Sequence, residues 1–208
     1  MVQGFASTLA TRWDQLGDAE RRAAVRTIAE RAGSLGRLVE QLLLGSRAGA
    51  DQLPVSNGPF NLGAVLHGAA AAFRPLSDKH VVLADIPADL PAATGDTMAT
   101  DIIVGQLLEN AFKYSPNGGT VCVRARVAGN WIEVTVEDEG VGIAEGDHER
   151  IFDRFFQGEA GDRRRFGGVG IGLFIVRRLA QAQHGEVTAS SRPQGGTSMC
   201  LRLRPVSD

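Results

Sequence analysis

Two glycine clusters constrain this chain more than any other feature. Asp138-Glu139-Gly140-Val141-Gly142-Ile143 and Gly167-Gly168-Val169-Gly170-Ile171-Gly172-Leu173 bracket a charged segment. The first cluster follows an alternating run, Trp131 to Val136, that reads as a strand. The second leads into Leu173-Phe174-Ile175-Val176-Arg177-Arg178-Leu179, which reads as an amphipathic helix. Glycine in such places suits a backbone that bends sharply and comes close to a ligand. A glycine-rich turn entering a helix also presents free backbone N–H groups, and the helix dipole favours an anion in front of them, phosphate above all.

Upstream, the apolar periodicity predicts a helix from Thr97 to Tyr114. On it Gln106, Glu109, Asn110 and Lys113 recur at three and four and share one face, while Ile103, Leu107, Leu108 and Ala111 spread toward the core. Such a polar stripe is either a solvated face or a site. Asn110 carries a carbonyl oxygen, a hard ligand of the kind Mg²⁺ accepts while keeping waters and substrate phosphates. Between the glycine clusters lies Ile151-Phe152-Asp153-Arg154-Phe155-Phe156, and near the end Gly195-Gly196-Thr197.

Taken in order, Leu107 to Tyr114, Asp138 to Ile143, Ile151 to Phe156, Gly167 to Leu173 and Gly195 to Thr197 resemble the N, G1, F, G2 and G3 boxes of the ATP-binding domain of sensor histidine kinases. The resemblance runs from about Pro59 to Pro205. It implies ATP and Mg²⁺ as cofactors, with Asn110 and Gln106 toward the metal and catalytic roles for Glu109 and Lys113. Lys113 would add a point charge to the phosphates and Tyr114 a flat face near the adenine. Asp138 matches the residue that accepts a hydrogen bond from the adenine amino group. Gly140, Gly142, Ile143, Gly168, Gly170, Gly172, Leu173 and Thr197 complete the implied nucleotide contacts. The segment Gly158 to Arg165 resembles the ATP lid, and Arg163 and Arg165 are either solvated charge or partners of the γ-phosphate as charge develops.

Two positions depart from the family pattern. Gln106 stands where Asn is usual and where gyrase-type ATPases carry a water-activating Glu; an amide cannot take a proton, which favours transfer to a nucleophile over hydrolysis. Gln157 stands where many members carry Arg, and this removes one phosphate contact.

Before the catalytic region, Val2, Phe5, Leu9, Trp13 and Leu16 fall at helical spacing. Gly17 and Asp18 predict a turn and an N-cap, with Glu20 in the first turn of a second helix. Its seam, Val25, Ile28, Ala32, Leu35, Val39 and Leu42, fits either a heptad or an ordinary amphipathic helix. Leu38 to Leu43 followed by Ser46-Arg47 resembles the end of the dimerisation and phosphotransfer hairpin of histidine kinases. The expected organisation is a helical hairpin at 1–49, a Gly/Ala/Ser/Asn/Pro-rich linker at 50–58 and the ATP-binding domain at 59–208.

Within that domain the patterns predict a short edge strand near Phe60 and a helix at Leu62 to Leu76. A strand at His80 to Asp85 and a loop holding Pro87 and Pro91 precede the 97–114 helix. After it come strands at Thr120 to Val127 and Trp131 to Glu137, a short helix near Asp147 to Phe156, and strands at Glu186 to Ser191 and Thr197 to Leu203. Strands and helices without regular βαβ alternation predict an α+β fold, a two-layer sandwich of a mixed, mostly antiparallel sheet against helices.

The formal charge of -2 and pI near 6.1 give no basic footprint for nucleic acid. Cys122 and Cys200 have no metal-ligand spacing and read as reduced thiols, in keeping with a cytoplasmic setting. No apolar run has the ~20 residues that span a bilayer, although a parent sensor could be membrane-bound. His67, His80, His148 and His184 are the histidines, none within residues 1–50, and none lies in an acceptor motif. Met1 to Phe5 resembles sequence just downstream of the phosphorylated histidine. The expectation is therefore a kinase fragment whose parent forms a homodimer through the hairpin and passes the γ-phosphoryl to histidine, then to a response-regulator receiver domain. The alternatives are a serine kinase of the anti-sigma-factor type and a non-catalytic nucleotide-binding or dimerisation module.

Overall fold

The computed structural model describes residues 9–11, 13–29, 53, 55–158, 166 and 169–206. The chain divides into two compact units, Met1–Leu44 and Gly45–Asp208.

In the first unit a 3₁₀ turn at Trp13–Gln15 precedes helical backbone over residues 18–29. The N-cap is Gly17 and not Asp18. The Gly17 carbonyl accepts the Arg21 N–H at 3.0 Å, and the Glu20 carboxylate reaches back to the Gly17 N–H at 2.9 Å. Glycine supplies no capping side chain, so the Glu20 half of a capping box satisfies the exposed donor. Arg21 also lies over the Trp13 ring, 4.8 Å from its centre, and donates to the Trp13 carbonyl. The predicted seam from Ala32 to Leu42 lies outside the described residues.

Among the described residues the second unit has seven strands and three α-helices: β1 (Gly58–Phe60), α1 (Leu62–Phe73), β2 (His80–Asp85), β3 (Ala93–Gly95), α2 (Thr97–Tyr114), β4 (Gly119–Ala128), β5 (Trp131–Glu137), α3 (Gly172–Ala182), β6 (Glu186–Ser191) and β7 (Thr197–Pro205). The sheet order is β1-β3-β7-β5-β4-β2, with β6 also paired to β7. Only β2 and β4 run parallel; the other pairs are antiparallel. This is the expected α+β architecture. One sheet face buries Val121, Val123, Ile132, Val134, Leu201 and Leu203, and α2 buries Ile103, Val104, Leu107 and Leu108 completely. Each such side chain contributes about 1.5–3 kcal/mol relative to exposure. Alternate residues on the other face form ion pairs, notably Glu133 between Arg126 and Arg202.

Asp96 starts α2 and fastens it. One carboxylate oxygen accepts the Ala99 N–H at 2.8 Å, and the other accepts the N–H and hydroxyl of Ser56 at 3.0 and 2.6 Å. The Ser56 hydroxyl and the Ala99 N–H hold this carboxyl below its usual range. Gln183, 1% exposed, is fully engaged: its carbonyl takes the Asp96 N–H and the Thr100 hydroxyl, and its amide donates to Leu179.

Two further expectations required revision. The stretch predicted as loop before α2 contains β3, whose Ala93 and Thr94 pair with Pro205 and Arg204. The helix expected over 147–156 is a single 3₁₀ turn at Arg150–Phe152. It stops at Asp153, whose backbone is extended with ψ 146°, and beyond it Phe155, left-handed at φ 65°, donates its N–H to the Gly170 carbonyl at 2.8 Å.

At the other end of α3, His184 is left-handed at φ 56°. Its N–H bonds the Gln181 carbonyl and that of Gly185 bonds the Ala180 carbonyl, a Schellman cap as expected for a helix end.

Candidate functional site

Asp138 follows β5 and is 4% exposed. Its Oδ1 accepts the N–H of Gly140 at 2.8 Å and of Thr197 at 3.3 Å, while its own N–H donates to the Thr197 carbonyl at 2.9 Å. Among the described residues Oδ2 has no protein partner. Burial pushes this carboxyl above the usual range, against the two N–H donors and the charge of Arg192. A buried acceptor with one oxygen fixed and the other uncommitted is suited to a ligand N–H donor.

The glycines beside it permit close backbone approach. A Cβ on Gly140 would strike the Tyr114 carbonyl and come within 2.7 Å of Ser115 Oγ. The Val141 N–H bonds that same carbonyl at 3.0 Å. Gly142 has φ 77°, and Ile143 beyond it is half-buried. Glu139 turns the other way and accepts the Thr120 N–H at 2.9 Å. The loop is thus pinned to the end of α2 and the start of β4.

On α2 the polar face forms as the spacing predicts. Gln106 donates to the exposed Glu109 carboxylate at 3.1 Å. The Asn110 side chain makes no hydrogen bond among the described residues, although its Nδ2 is buried. An orphaned buried amide is costly unless a ligand completes it. The Lys113 ammonium lies 4.9 Å from the centre of the Tyr114 ring, and that ring meets Phe166 at 5.0 Å.

The second glycine cluster packs against both neighbours. Gly170, φ 72°, abuts the backbone of Phe155 and Phe156, and a Cβ on Gly172 would meet the Gln106 amide carbon at 2.8 Å. Gly172 opens α3, whose first turn has no side-chain cap, and Leu173 there is half-buried. Its leading N–H groups remain available to an anion. Buried Phe152 is covered by Arg177 at 4.3 Å, which pairs with Glu149 at 2.7 Å.

The structure therefore brings Asp138, Gly140 and Thr197 together, and joins Gln106 to Glu109 and Gly172. Arg163, Arg165 and Gly168 lie outside the described residues. An open groove of about 610 Å³ along β1, α1 and the 86–92 loop contains none of these residues. The sequence reading missed Arg192, whose Nη1 donates to the Asp138 carbonyl at 2.6 Å, and the Glu139–Thr120 bond. A single arginine in a turn gives no motif by which to find it.

Comparison with known proteins agrees with this geometry. The profile described as "Histidine kinase-, DNA gyrase B-, and HSP90-like ATPase" matches residues 95–207, more than half of the chain. The sensor-like histidine kinase SenX3 of Mycobacterium tuberculosis is 34% identical over 195 residues, covering 90% of this chain and 47% of that protein. The chain thus spans about half the length of SenX3. Among solved structures, full-length ShkA in complex with AMPPNP superposes with TM-score 0.75 at 24% identity, over 93% of this chain and 41% of that one. Histidine kinase AdeS of Acinetobacter baumannii gives 0.73 at 22%, over 99% and 94%. With the profile spanning α2 to β7 and more than half of the chain, the chain belongs to the histidine kinase-, DNA gyrase B- and HSP90-like ATPase family.

Proposed function

We propose that residues 59–208 bind Mg-ATP and, in the parent kinase, donate its γ-phosphoryl group to a histidine. The observation that carries this reading is the Asp138 carboxylate, buried and clamped through Oδ1 with Oδ2 uncommitted. Oδ2 would accept the adenine amino group, and Gly140 and Gly142 would let the base approach the backbone. The phosphates would meet the uncapped first turn of α3 and the Lys113 charge.

Mg²⁺ fits the donor set. No hydrogen bond commits the Asn110 side chain among the described residues, so its carbonyl oxygen is open to a hard cation, and Gln106 lies one turn before it. An ion sharing its shell with phosphates and water needs no more from the protein. When bound it neutralises phosphate charge. Lys113 adds a fixed positive charge, and Glu109, steadied by Gln106, is the carboxylate on this face that can receive a proton.

Transfer breaks the bond between the γ-phosphorus and the ADP oxygen and forms one to an imidazole nitrogen, chiefly by positioning and charge stabilisation. Lid arginines Arg163 and Arg165 would complete the charge balance. The acceptor histidine would lie on the parent's hairpin, which also forms the homodimer, and a receiver-domain aspartate would take the phosphoryl next. On this reading the chain would act in the cytoplasm. No helix among the described residues is long and apolar enough to cross a membrane. The sensor histidine kinase relatives favour this reading over a serine kinase or a non-catalytic module.

The test is incubation with γ-labelled Mg-ATP, with and without a separately supplied acceptor hairpin. The hairpin should become labelled and this chain should not. Acid-labile phosphate on the chain's own histidines, or an unlabelled hairpin despite measurable ATP binding, would refute the transfer reading.

A further inference from the structure

The β6–β7 turn holds Asp138 by more than the Thr197 amide. Arg192 closes that turn, its N–H on the Gly196 carbonyl at 3.2 Å and its carbonyl receiving the Gly195 N–H at 3.0 Å. From there its Nη1 donates to the Asp138 carbonyl at 2.6 Å. Gly196, φ 90°, packs so closely on that carbonyl that no Cβ could be accommodated. The backbone of Asp138 is thus gripped on one side by a single turn, through its N–H and its carbonyl.

We infer that Arg192 is a positioning residue of the nucleotide site: bonded to the Asp138 carbonyl, it locks the β6–β7 turn to the Asp138–Ile143 loop. This rests on the reading that Asp138 receives the adenine amino group. With Oδ1 committed to two N–H donors, a proton on Asp138 must sit on Oδ2. That converts the only uncommitted acceptor into a donor facing another donor, and the adenine contact is lost.

Among the described residues, the charged groups on the elements around Asp138 are otherwise occupied. Lys113 sits over Tyr114, Glu139 binds the Thr120 amide, Glu137 pairs with Arg124, and the His80 ring bridges Ser77 and the Ser115 carbonyl. Burial of the carboxylate is opposed first by the Gly140 and Thr197 N–H donors and then by the charge of Arg192. Removing it leaves burial less opposed, so protonation, and with it the loss of adenine binding, begins at higher pH.

The experiment is calorimetric titration of the chain with ADP and Mg²⁺ across roughly pH 4 to 8, a range spanning the usual carboxylate values and those above them. The proteins are the parent, Arg192→Gln, Arg192→Lys and Asp138→Ala. Titration of the ADP phosphate is common to all and cancels in the comparison. Arg192→Gln should lose affinity at a midpoint at higher pH than the parent. Arg192→Lys, which keeps the charge, should restore the midpoint, and it keeps the test open should Arg192→Gln fold poorly. A midpoint unchanged in Arg192→Gln, or one shifted equally in Arg192→Lys, overturns the role of Arg192. Asp138→Ala separates the two readings: unchanged ADP affinity there removes the adenine assignment itself, whereas weakened binding alongside an unshifted Arg192→Gln removes only the present inference.

Discussion

The Gln106 side chain occupies the space in front of Gly172, so that a methyl group added there would come within 2.8 Å of its amide carbon. At Gly140 the obstacle is the backbone carbonyl of Tyr114. The two glycines are equally prominent in the sequence, yet one faces the far end of a flexible chain and the other a helix terminus that cannot yield.

Gly140→Ala should therefore destabilise the second unit by about 1–3 kcal/mol, the usual cost of overpacking. Gly172→Ala should fold with nearly the parental thermal midpoint, because Gln106 can turn away, and show its effect in Mg-nucleotide affinity instead. Thermal unfolding by circular dichroism and calorimetric titration separate the two. Equal losses of stability would contradict the distinction.

Asp138→Asn should uncouple stability from binding. The carboxyl is raised in the folded chain, so folding is favoured by its protonation and opposed by its charge as pH rises through the raised value. An amide removes that charge while its oxygen still serves Gly140 and Thr197, so the thermal midpoint near neutral pH should hold or rise. Its Nδ2 would then point a donor at the adenine amino group. ADP affinity should fall by about 1.5–3 kcal/mol, on the order of 10- to 150-fold.

Glu133 has the opposite sign. Arg126 and then Arg202 hold its carboxyl below the ordinary 4.5, so its contribution is complete at neutral pH and is lost as pH falls below that value toward the folded one. Glu133→Gln should lower stability at pH 7 and flatten the acid limb of a stability-against-pH curve. If parent and variant lose stability in parallel below pH ~4.5, the triad does not govern that limb.

His184 occupies a left-handed position for which glycine carries no steric penalty. His184→Gly should stabilise the chain by about 0.5–1 kcal/mol despite the flexibility it adds to the unfolded state. A fall in the urea midpoint would show that the imidazole makes a contribution outweighing the strain.

Helix α2 was legible to the residue because an apolar period and a polar stripe agree over eighteen positions. The motif glycines were legible for the same kind of reason, since backbone approach leaves only one residue type that fits. β3 was not: Ala93-Thr94-Gly95 is too short to show alternation, and its strand character comes from partners at Arg204 and Pro205. The 147–156 segment has helix-compatible spacing, but the Phe155–Gly170 bond overrides it. Arg192, Gln183 and the Ser56–Asp96 bonds were invisible because each joins residues distant in sequence through ordinary side chains.

The pairing of β3 with the far end of β7 also determines when the fold can be completed. Ala93 and Thr94 meet partners more than a hundred residues away, and Asp138 is secured by Thr197 and Arg192 from the β6–β7 turn. Closing loops of that size costs entropy before any contact repays it, so sheet closure should be a slow, late step on the folding pathway. A nascent chain can form α2 and the β4–β5 hairpin early, yet the Asp138 carboxylate is not clamped until β7 is synthesised and docked. On the proposed reading, nucleotide therefore cannot template the first half of this domain during translation.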